Sequence, residues 1–201
     1  MRKTNRPRPA ATAVHLLRSR AQSLLMQEIS FIDHPTFRRT ALEDLSTCEF
    51  PIHTEEATSP DDRRLPTHLT PLFRKPLLTR PGEFHLFRLM NYCRYRANTL
   101  RSQLDPQKPK LRLVEEIEAL QARAEDSRRT ITESNLRLVA LIARNLVTRT
   151  LDYEELLSQG NLILLAAVDK FDDSRGFRQL QHRAIGKLRE LLGVELEEQP
   201  C

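Results

Sequence analysis

The segment LDYEELLSQGNLILLAAVDKFDDSRGF, residues 151–177, repeats apolar side chains at steps of three and four, which is the period of a helix with one buried face. Asp152 followed by Glu155 predicts a capping box, in which each side chain satisfies a free backbone N–H where the helix begins. One broad side collects the residues that we expect to pack inward: Leu156, Leu157, Gly160, Ile163, Leu164, Ala167, Val168 and Phe171. A helical glycine costs roughly 1 kcal/mol relative to alanine, so we expect another helix backbone to approach Gly160 closely.

The opposite side of this helix carries two leucines, Leu162 and Leu165, among small and polar residues. The other members of this side are Glu155, Ser158, Gln159, Ala166 and Asp169. Each exposed leucine would forfeit roughly 1.5–3 kcal/mol of burial unless a partner covered it. Single leucines on a surface are also ordinary. The spacing alone therefore leaves two interpretations open, a partner interface and plain exposure to solvent.

Composition favours helices in the whole chain and excludes several protein classes. The 201 residues include only five glycines and no tryptophan, which disfavours a turn-rich β-sandwich. Three cysteines, Cys48, Cys93 and Cys201, have no C-x-x-C spacing, so neither a disulfide framework nor a zinc site is indicated. The chain has no run long enough to span a membrane and no apolar stretch typical of a signal peptide. We expect a soluble all-α protein of a reducing cytoplasm, with no membrane partner.

The chain divides into two regions that differ in proline content and in hydrophobic spacing. Residues 1–76 are basic at the start and rich in proline, which predicts a mostly flexible arm. Within the arm, one short helix is predicted from the spacing of Val14, Leu17, Ala21, Leu24 and Leu25. Residues 77–201 consist of long helical phrases and predict a compact helical bundle, which ends in a divergent C-terminal helix.

The first helix of the bundle has a clear apolar face and a basic opposite face. Thr79 is the predicted cap, and the apolar face comprises Phe84, Phe87, Met90, Cys93, Ala97, Leu100 and Leu104. The other face holds Arg88, Arg94, Tyr95 and Arg101, which form either a solvated surface or a phosphate-facing strip. Pro106 and Pro109 end this helix. We expect a charged helix after them, and then a third, broadly apolar helix, TITESNLRLVALIARNLV, in the centre of the bundle.

Catalytic and metal chemistry find little support in the sequence. Its six histidines are dispersed, without an H-E-x-x-H motif, and it has no glycine-rich phosphate loop. Asp169, Asp172 and Asp173 lack the ligand spacing of a calcium loop. We therefore expect no catalytic residue, no metal and no cofactor. The net charge of +5 and the isoelectric point of about 9.4 favour a function that involves nucleic acid.

Motifs in the second region resemble the core-binding segment of bacterial sigma factors of the primary (sigma-seventy) class, the subunits that direct RNA polymerase to promoters. The matching positions are Asn135 to Val139, Leu157, Ser158 to Asn161, Leu164, Ala167 to Asp172 and Arg175 to Phe177. Residues 77–97 also resemble, less distinctively, the helix that precedes this segment in the family. The resemblance covers about half of the chain.

The resemblance implies a partner for the outer leucines. In the family, this helix face docks on a coiled coil in the clamp of the polymerase's largest subunit. That implies a contact set of Glu155, Ser158, Gln159, Asn161, Leu162 and Leu165. Gln159 stands where the family usually has an acid, so one ionic contact with the polymerase is expected to be weaker.

The resemblance stops after Phe177. The family continues with a K-F-S-T-Y-A phrase and an aromatic-rich helix whose rings capture flipped promoter bases, whereas residues 178–201 contain no Phe, Tyr or Trp. We expect a chain truncated after the core-binding segment, which also lacks the later helix-turn-helix domain. Residues 178–191 instead predict an amphipathic helix that could hold DNA without reading its sequence. Its weak phosphate contacts would be Arg178, Arg183, Lys187 and Arg189.

Three functions follow as hypotheses. The first is a sigma-factor-like subunit that binds core RNA polymerase in transcription initiation, with its promoter-melting element incomplete. The second is a truncated sigma relative that competes with or regulates complete sigma factors at the polymerase clamp. The third is a helical interaction protein or nonspecific nucleic-acid-binding protein unrelated to polymerase. For the first two we expect a location in the bacterial cytoplasm.

Overall fold

The computed structural model describes residues 9–46, 51–54, 76–146, 152–171 and 186. The helices in these residues are α1 (Pro9–Met26), α2 (Leu42–Ser46), α3 (Arg80–Arg101), α4 (Leu111–Leu146) and α5 (Tyr153–Asp169). The described part of the chain contains no strand, only an isolated antiparallel bridge between His53 and Leu78. The predicted all-α class is confirmed.

Contacts group the chain into two compact units. One comprises residues 1–42 and 90–125, and the other comprises residues 43–89 and 126–201. Helices α3 and α4 each contribute their two halves to different units. The division of the chain at residue 76 stays a prediction.

The start of α3 is fixed by Thr79, as predicted. The Thr79 hydroxyl oxygen accepts a hydrogen bond from the Gly82 N–H at 3.0 Å, which satisfies one of the free donors of the first turn. The same hydroxyl donates to the Pro51 carbonyl at 2.7 Å, and the Thr79 N–H donates to the Ile52 carbonyl at 2.8 Å. Residues 51–54 therefore lie against the N-terminus of α3.

Helix α4 is a single helix of 36 residues, where the sequence was expected to form two. No glycine or proline interrupts residues 111–146, so nothing breaks the backbone hydrogen bonding between the charged phrase and the apolar one. A buried stripe at steps of three and four runs along it: Val114, Ile117, Leu120, Ala124, Ser127 and Ile131. The predicted break before α4 is confirmed, because α3 ends at Arg101 and α4 begins after Pro106 and Pro109.

In the first unit, α1 packs against the first half of α4. Ala21 and Leu24 of α1 are buried, whereas Val14 and Leu25, from the same predicted face, are exposed. The Arg20 guanidinium donates two hydrogen bonds to the Glu118 carboxylate, one of them at 3.0 Å. This pairing holds the pKa of Glu118 below its usual value. The short helix predicted within the arm is confirmed as α1.

The segment that follows α1 packs on the second half of α3. The Phe37 ring lies 5.6 Å from the Tyr92 ring and 5.7 Å from the Tyr95 ring, measured between centroids. The Tyr92 hydroxyl donates to the Thr40 carbonyl at 2.9 Å, and the Phe31 ring meets Tyr95 edge-on at 5.7 Å. Residues 31–40 thus form an aromatic contact with α3.

These contacts change the interpretation of the basic face of α3. Tyr95 is half-buried beneath two rings, and the Arg101 guanidinium donates to the Gln27 carbonyl and to the Asn98 side chain. Arg88 and Arg94 are half-buried as well. This face is therefore partly covered by the protein itself, and the phosphate-facing strip stays a prediction.

We predict that Gly82→Ala destabilises the second unit. An added Cβ at Gly82 would lie 2.5 Å from the Ile52 carbonyl oxygen and 2.7 Å from the Ile52 Cα. Because both neighbours are backbone atoms, the crossing segment must shift, and overpacking of this kind costs about 1–3 kcal/mol. Thermal and denaturant unfolding of the full chain measure the loss.

Gly186→Ala is the matched control, since a Cβ there would meet no atom within 4 Å. It should leave the unfolding midpoint unchanged or raise it slightly. Equal unfolding midpoints for Gly82→Ala and the wild type would contradict the crossing of residues 51–54 over α3.

Candidate functional site

Helix α5 begins where the sequence predicts, but the capping box does not form. Asp152 is the N-cap, with extended backbone angles of φ −77° and ψ 145°, and its side chain makes no capping hydrogen bond. The first backbone hydrogen bond of the helix runs from the Leu156 N–H to the Asp152 carbonyl at 3.1 Å. Asp152 is exposed, so water can satisfy the remaining N–H groups. Glu154 and Glu155 in the first turn complement the helix dipole.

The inner face of α5 is buried, as predicted, and it packs on the second half of α4. Leu156, Gly160, Leu164 and Val168 are buried at successive turns. Leu156 shares a core cluster with Ala143, against which Ile142 and Tyr153 also pack. A second cluster joins Ala140 to Leu141, Tyr153 and Leu157. The close approach of another backbone to Gly160 stays a prediction.

Polar contacts hold both ends of α5. At its start, the Tyr153 hydroxyl donates to the Ala140 carbonyl at 3.3 Å. At its end, the Arg128 guanidinium donates to both Asp169 carboxylate oxygens, at 2.9 and 3.0 Å. Asp169, expected among the outward residues, is therefore turned to a partner within the protein. Next to it, Phe171 stacks on Phe87 with 4.0 Å between ring centroids.

The outer face of α5 is exposed mainly around Leu162. Glu155, Ser158 and Gln159 are exposed, and Leu162 keeps 60% of its surface in solvent. Leu165 is half-buried, so it is less open than the helical wheel predicts. The uncovered apolar surface on this face therefore centres on Leu162.

Asn161, a further member of the expected contact set, is half-buried. Its side-chain oxygen is fully buried and has no hydrogen-bond partner. A buried acceptor that neither the protein nor water satisfies costs about 1–3 kcal/mol. The unpaired side-chain oxygen of Asn161, next to Leu162 in the sequence, therefore carries an energetic cost.

The candidate DNA contacts, Arg178, Arg183, Lys187 and Arg189, lie outside the described residues. The last part of the sequence motif, including Asp172 and Arg175 to Phe177, lies there as well. Of the three cysteines only Cys93 is described; it is buried, and burial raises the pKa of its thiol to about 11.

A buried carboxyl group on α3 escaped prediction. Glu83 is only 3% exposed, and its carboxylate accepts a hydrogen bond at 3.3 Å from the Asn135 side chain, which also donates to the Ile131 carbonyl at 2.9 Å. Burial raises the pKa of Glu83 to about 7, although the hydrogen bond from Asn135 partly opposes the rise. Its position one turn before Phe87, on the apolar face of α3, was the signal that could have identified it.

The described residues give no indication of a metal site or of a membrane-spanning helix. These residues contain no group of three His, Cys, Asp or Glu side chains placed to hold a metal ion. Among the helices they form, none combines the length and the apolar character needed to cross a membrane.

Comparison with known proteins identifies what the end of α4 and helix α5 are similar to. A family model described as Sigma-70 region 2 matches residues 131–181. The RNA polymerase sigma factor RpoS of Coxiella burnetii (strain RSA 493 / Nine Mile phase I) is 54% identical over 52 residues, which are 26% of this chain and 15% of that relative.

Two further relatives are also named as RNA polymerase sigma factors. The RNA polymerase principal sigma factor HrdD of Streptomyces griseus is 33% identical over 111 residues, 55% of this chain and 33% of the relative. The RNA polymerase sigma factor SigA of a Bacillus species is 43% identical over 54 residues, 27% of this chain and 14% of the relative. The chain thus spans about a third or less of the length of these relatives. The resemblance to bacterial sigma factors inferred from the motifs is confirmed.

We predict that Glu83 makes the free energy of unfolding fall as the pH rises. The pKa of its carboxyl group is raised from 4.5 to about 7 in the folded protein, so the folded state binds the proton more tightly than the unfolded chain does. The resulting stabilisation is complete below the unfolded value and is lost as the pH rises through the folded one, by about 3 kcal/mol at most. Urea unfolding at a series of pH values measures the slope.

Glu83→Gln should flatten this slope, because an amide does not titrate. Glu116→Gln, at an exposed position of α4, is the control and should keep the wild-type slope. If Glu83→Gln and the wild type lose stability in parallel as the pH rises, the carboxyl group of Glu83 is not the source.

Proposed function

We propose that this chain, in which residues 131–181 form a sigma-70 region 2 segment, is a sigma-factor-like subunit that binds core RNA polymerase and takes part in transcription initiation. The observation that carries the proposal is the outer face of α5. A leucine with 60% of its surface exposed lies within the matched segment, on a helix whose inner face is packed on α4.

The contact set that we propose for polymerase comprises Glu155, Ser158, Gln159, Asn161, Leu162 and Leu165. Leu162 supplies apolar surface for a partner helix, and the hydroxyl and amide side chains beside it supply hydrogen-bonding groups at the rim. The partner is a coiled coil in the clamp of the largest polymerase subunit.

This role is non-catalytic, belongs in the bacterial cytoplasm and requires no cofactor. The resemblance to a principal sigma factor over 111 residues supports a relationship to the primary class. Promoter DNA is the second proposed partner. Arg178, Arg183, Lys187 and Arg189 would contact its phosphates without selecting a sequence.

A competitor at the polymerase clamp is the second candidate function. Residues 178–201 contain no aromatic side chain, whereas capture of a flipped base relies on ring stacking worth roughly 1–3 kcal/mol per base. Such a chain would bind polymerase through α5 and leave promoters closed.

We predict that Leu162→Glu weakens binding to core RNA polymerase by about 30-fold or more, the loss expected when a central apolar contact of an interface is removed. The carboxylate would have to lose its water at the apolar centre of the interface. Binding of the full chain to purified bacterial core enzyme, followed by fluorescence anisotropy or surface plasmon resonance, measures the change.

Leu111→Glu is the matched control, since Leu111 is a leucine with 50% exposure at the start of α4. It should leave polymerase affinity unchanged, and both variants should keep the wild-type unfolding midpoint. Equal affinity of Leu162→Glu and the wild type for polymerase would reject the α5 face as the interface. Failure of the wild type to bind core enzyme would reject the proposed function altogether.

Run-off transcription with the reconstituted complex separates the two candidate functions. A subunit active in initiation yields a promoter-specific transcript. A competitor binds polymerase, yields no such transcript and lowers the transcript made by a complete sigma factor in proportion to its concentration.

A further inference from the structure

Three exposed arginines lie around the aromatic contact of the first unit. Arg38 and Arg39 follow Phe37 in the segment after α1, and Arg96 follows Tyr95 on α3. In the part of the chain that the structure describes, none of the three guanidinium groups forms a hydrogen bond or an ion pair. These residues, here called the arginine surface, are distinct from the sigma-like segment 131–181.

The contact between Phe37 and Tyr95 brings the backbone of the three arginines into one region of the first unit. Because the Phe37 and Tyr95 rings are 5.7 Å apart and each arginine is one or two residues from a ring, their Cα atoms lie within roughly 20 Å of one another. The backbone of the turn is fixed by the Arg39 N–H, which donates to the Thr36 carbonyl at 2.9 Å. The backbone that carries Arg38 and Arg39 is therefore held by a hydrogen-bonded turn.

The charge of this surface is not neutralised within it. Glu28 and Asp33 are exposed acids in the same segment, so the three arginines exceed these acids by one positive charge. A duplex carries one negative charge per about 1.7 Å of its axis, so a length of roughly 20 Å presents several phosphates to such a surface. Guanidinium groups bind phosphate oxygens in a two-pronged geometry, which favours this ligand over a diffuse counter-ion.

We propose that Arg38, Arg39 and Arg96 form a contact surface for the phosphate backbone of duplex DNA. Base capture is not part of this role, because the aromatic rings here are engaged with one another: Phe31 meets Tyr95 at an interplanar angle of 70°, and Phe37 meets Tyr92 at 78°. With their faces and edges used in these contacts, the rings offer no free platform for an unpaired base. The surface binds duplex without reading sequence.

The arginine surface goes beyond the proposed role in polymerase binding, because it lies in another unit and engages DNA without polymerase. The test uses the full chain and a fluorescein-labelled 20-base-pair duplex, with anisotropy measured over a salt series. Arg38→Gln, Arg39→Gln and Arg96→Gln combined should weaken binding at least about tenfold at about 50 mM salt. The slope of log affinity against log salt should decrease by about 2–3, close to one unit per lost phosphate contact.

The control variant combines Lys108→Gln, Lys110→Gln and Arg112→Gln. It removes the same number of exposed positive charges from the same unit, so it changes the net charge equally. Its affinity for the duplex should fall less than about threefold, since only the general field of the protein is altered. Because all six positions are exposed, both variants should keep the wild-type unfolding midpoint.

Three results would overturn the proposal. Equal losses in the two triple variants would show that net charge alone attracts DNA. Wild-type affinity in the arginine variant would show that the surface faces an acidic protein or no partner. Tighter binding of the wild-type chain to the unpaired strand than to the duplex would show that bases are engaged. A failure of polymerase binding would not affect any of these measurements.

Discussion

The packing of α5 on the second half of α4 is the contact on which the proposed site depends. An isolated helix of 17 residues is marginal in water, so α5 requires its buried face to stay helical. Leu156, Leu164 and Val168 are fully buried, and each contributes roughly 1.5–3 kcal/mol. The Arg128–Asp169 pair and the stacking of Phe171 on Phe87 then fix the end of the helix.

A helix held along one face and at both ends presents its other face in a fixed arrangement. Less conformational freedom remains to be lost on binding, so the exposed surface around Leu162 is suited to a rigid partner such as a coiled coil. The packing that stabilises the inner face of α5 therefore also holds its outer face in place for binding.

Predictions from the sequence succeeded where a single helix face decides the outcome. The start of α5, the Thr79 cap and the class of the fold were confirmed. Of the residues expected inward on α5, five are buried (Leu156, Gly160, Leu164, Val168 and Phe171) and three are half-buried (Leu157, Ile163 and Ala167). The Asp152–Glu155 capping box was wrong although its residue types were right, because the orientation of an exposed side chain is not set by spacing. Leu165 was expected to be as open as Leu162, and a helical wheel cannot show that neighbouring elements cover one more than the other.

Periodicity assigned α3 one apolar face, and the structure partly covers its other side as well. Tyr95 and Arg101, counted as surface residues, are covered by residues 27–37, which lie far away in the sequence. The burial of Glu83 and its contact with Asn135, 52 positions along the chain, likewise depend on which helices meet. Local spacing thus determined where α3 and α5 begin, most of the inward residues and the family that the motif resembles, but not that residues 111–146 form one helix. Only the tertiary structure decided which polar groups lose their water, because that outcome depends on contacts between residues distant in the chain.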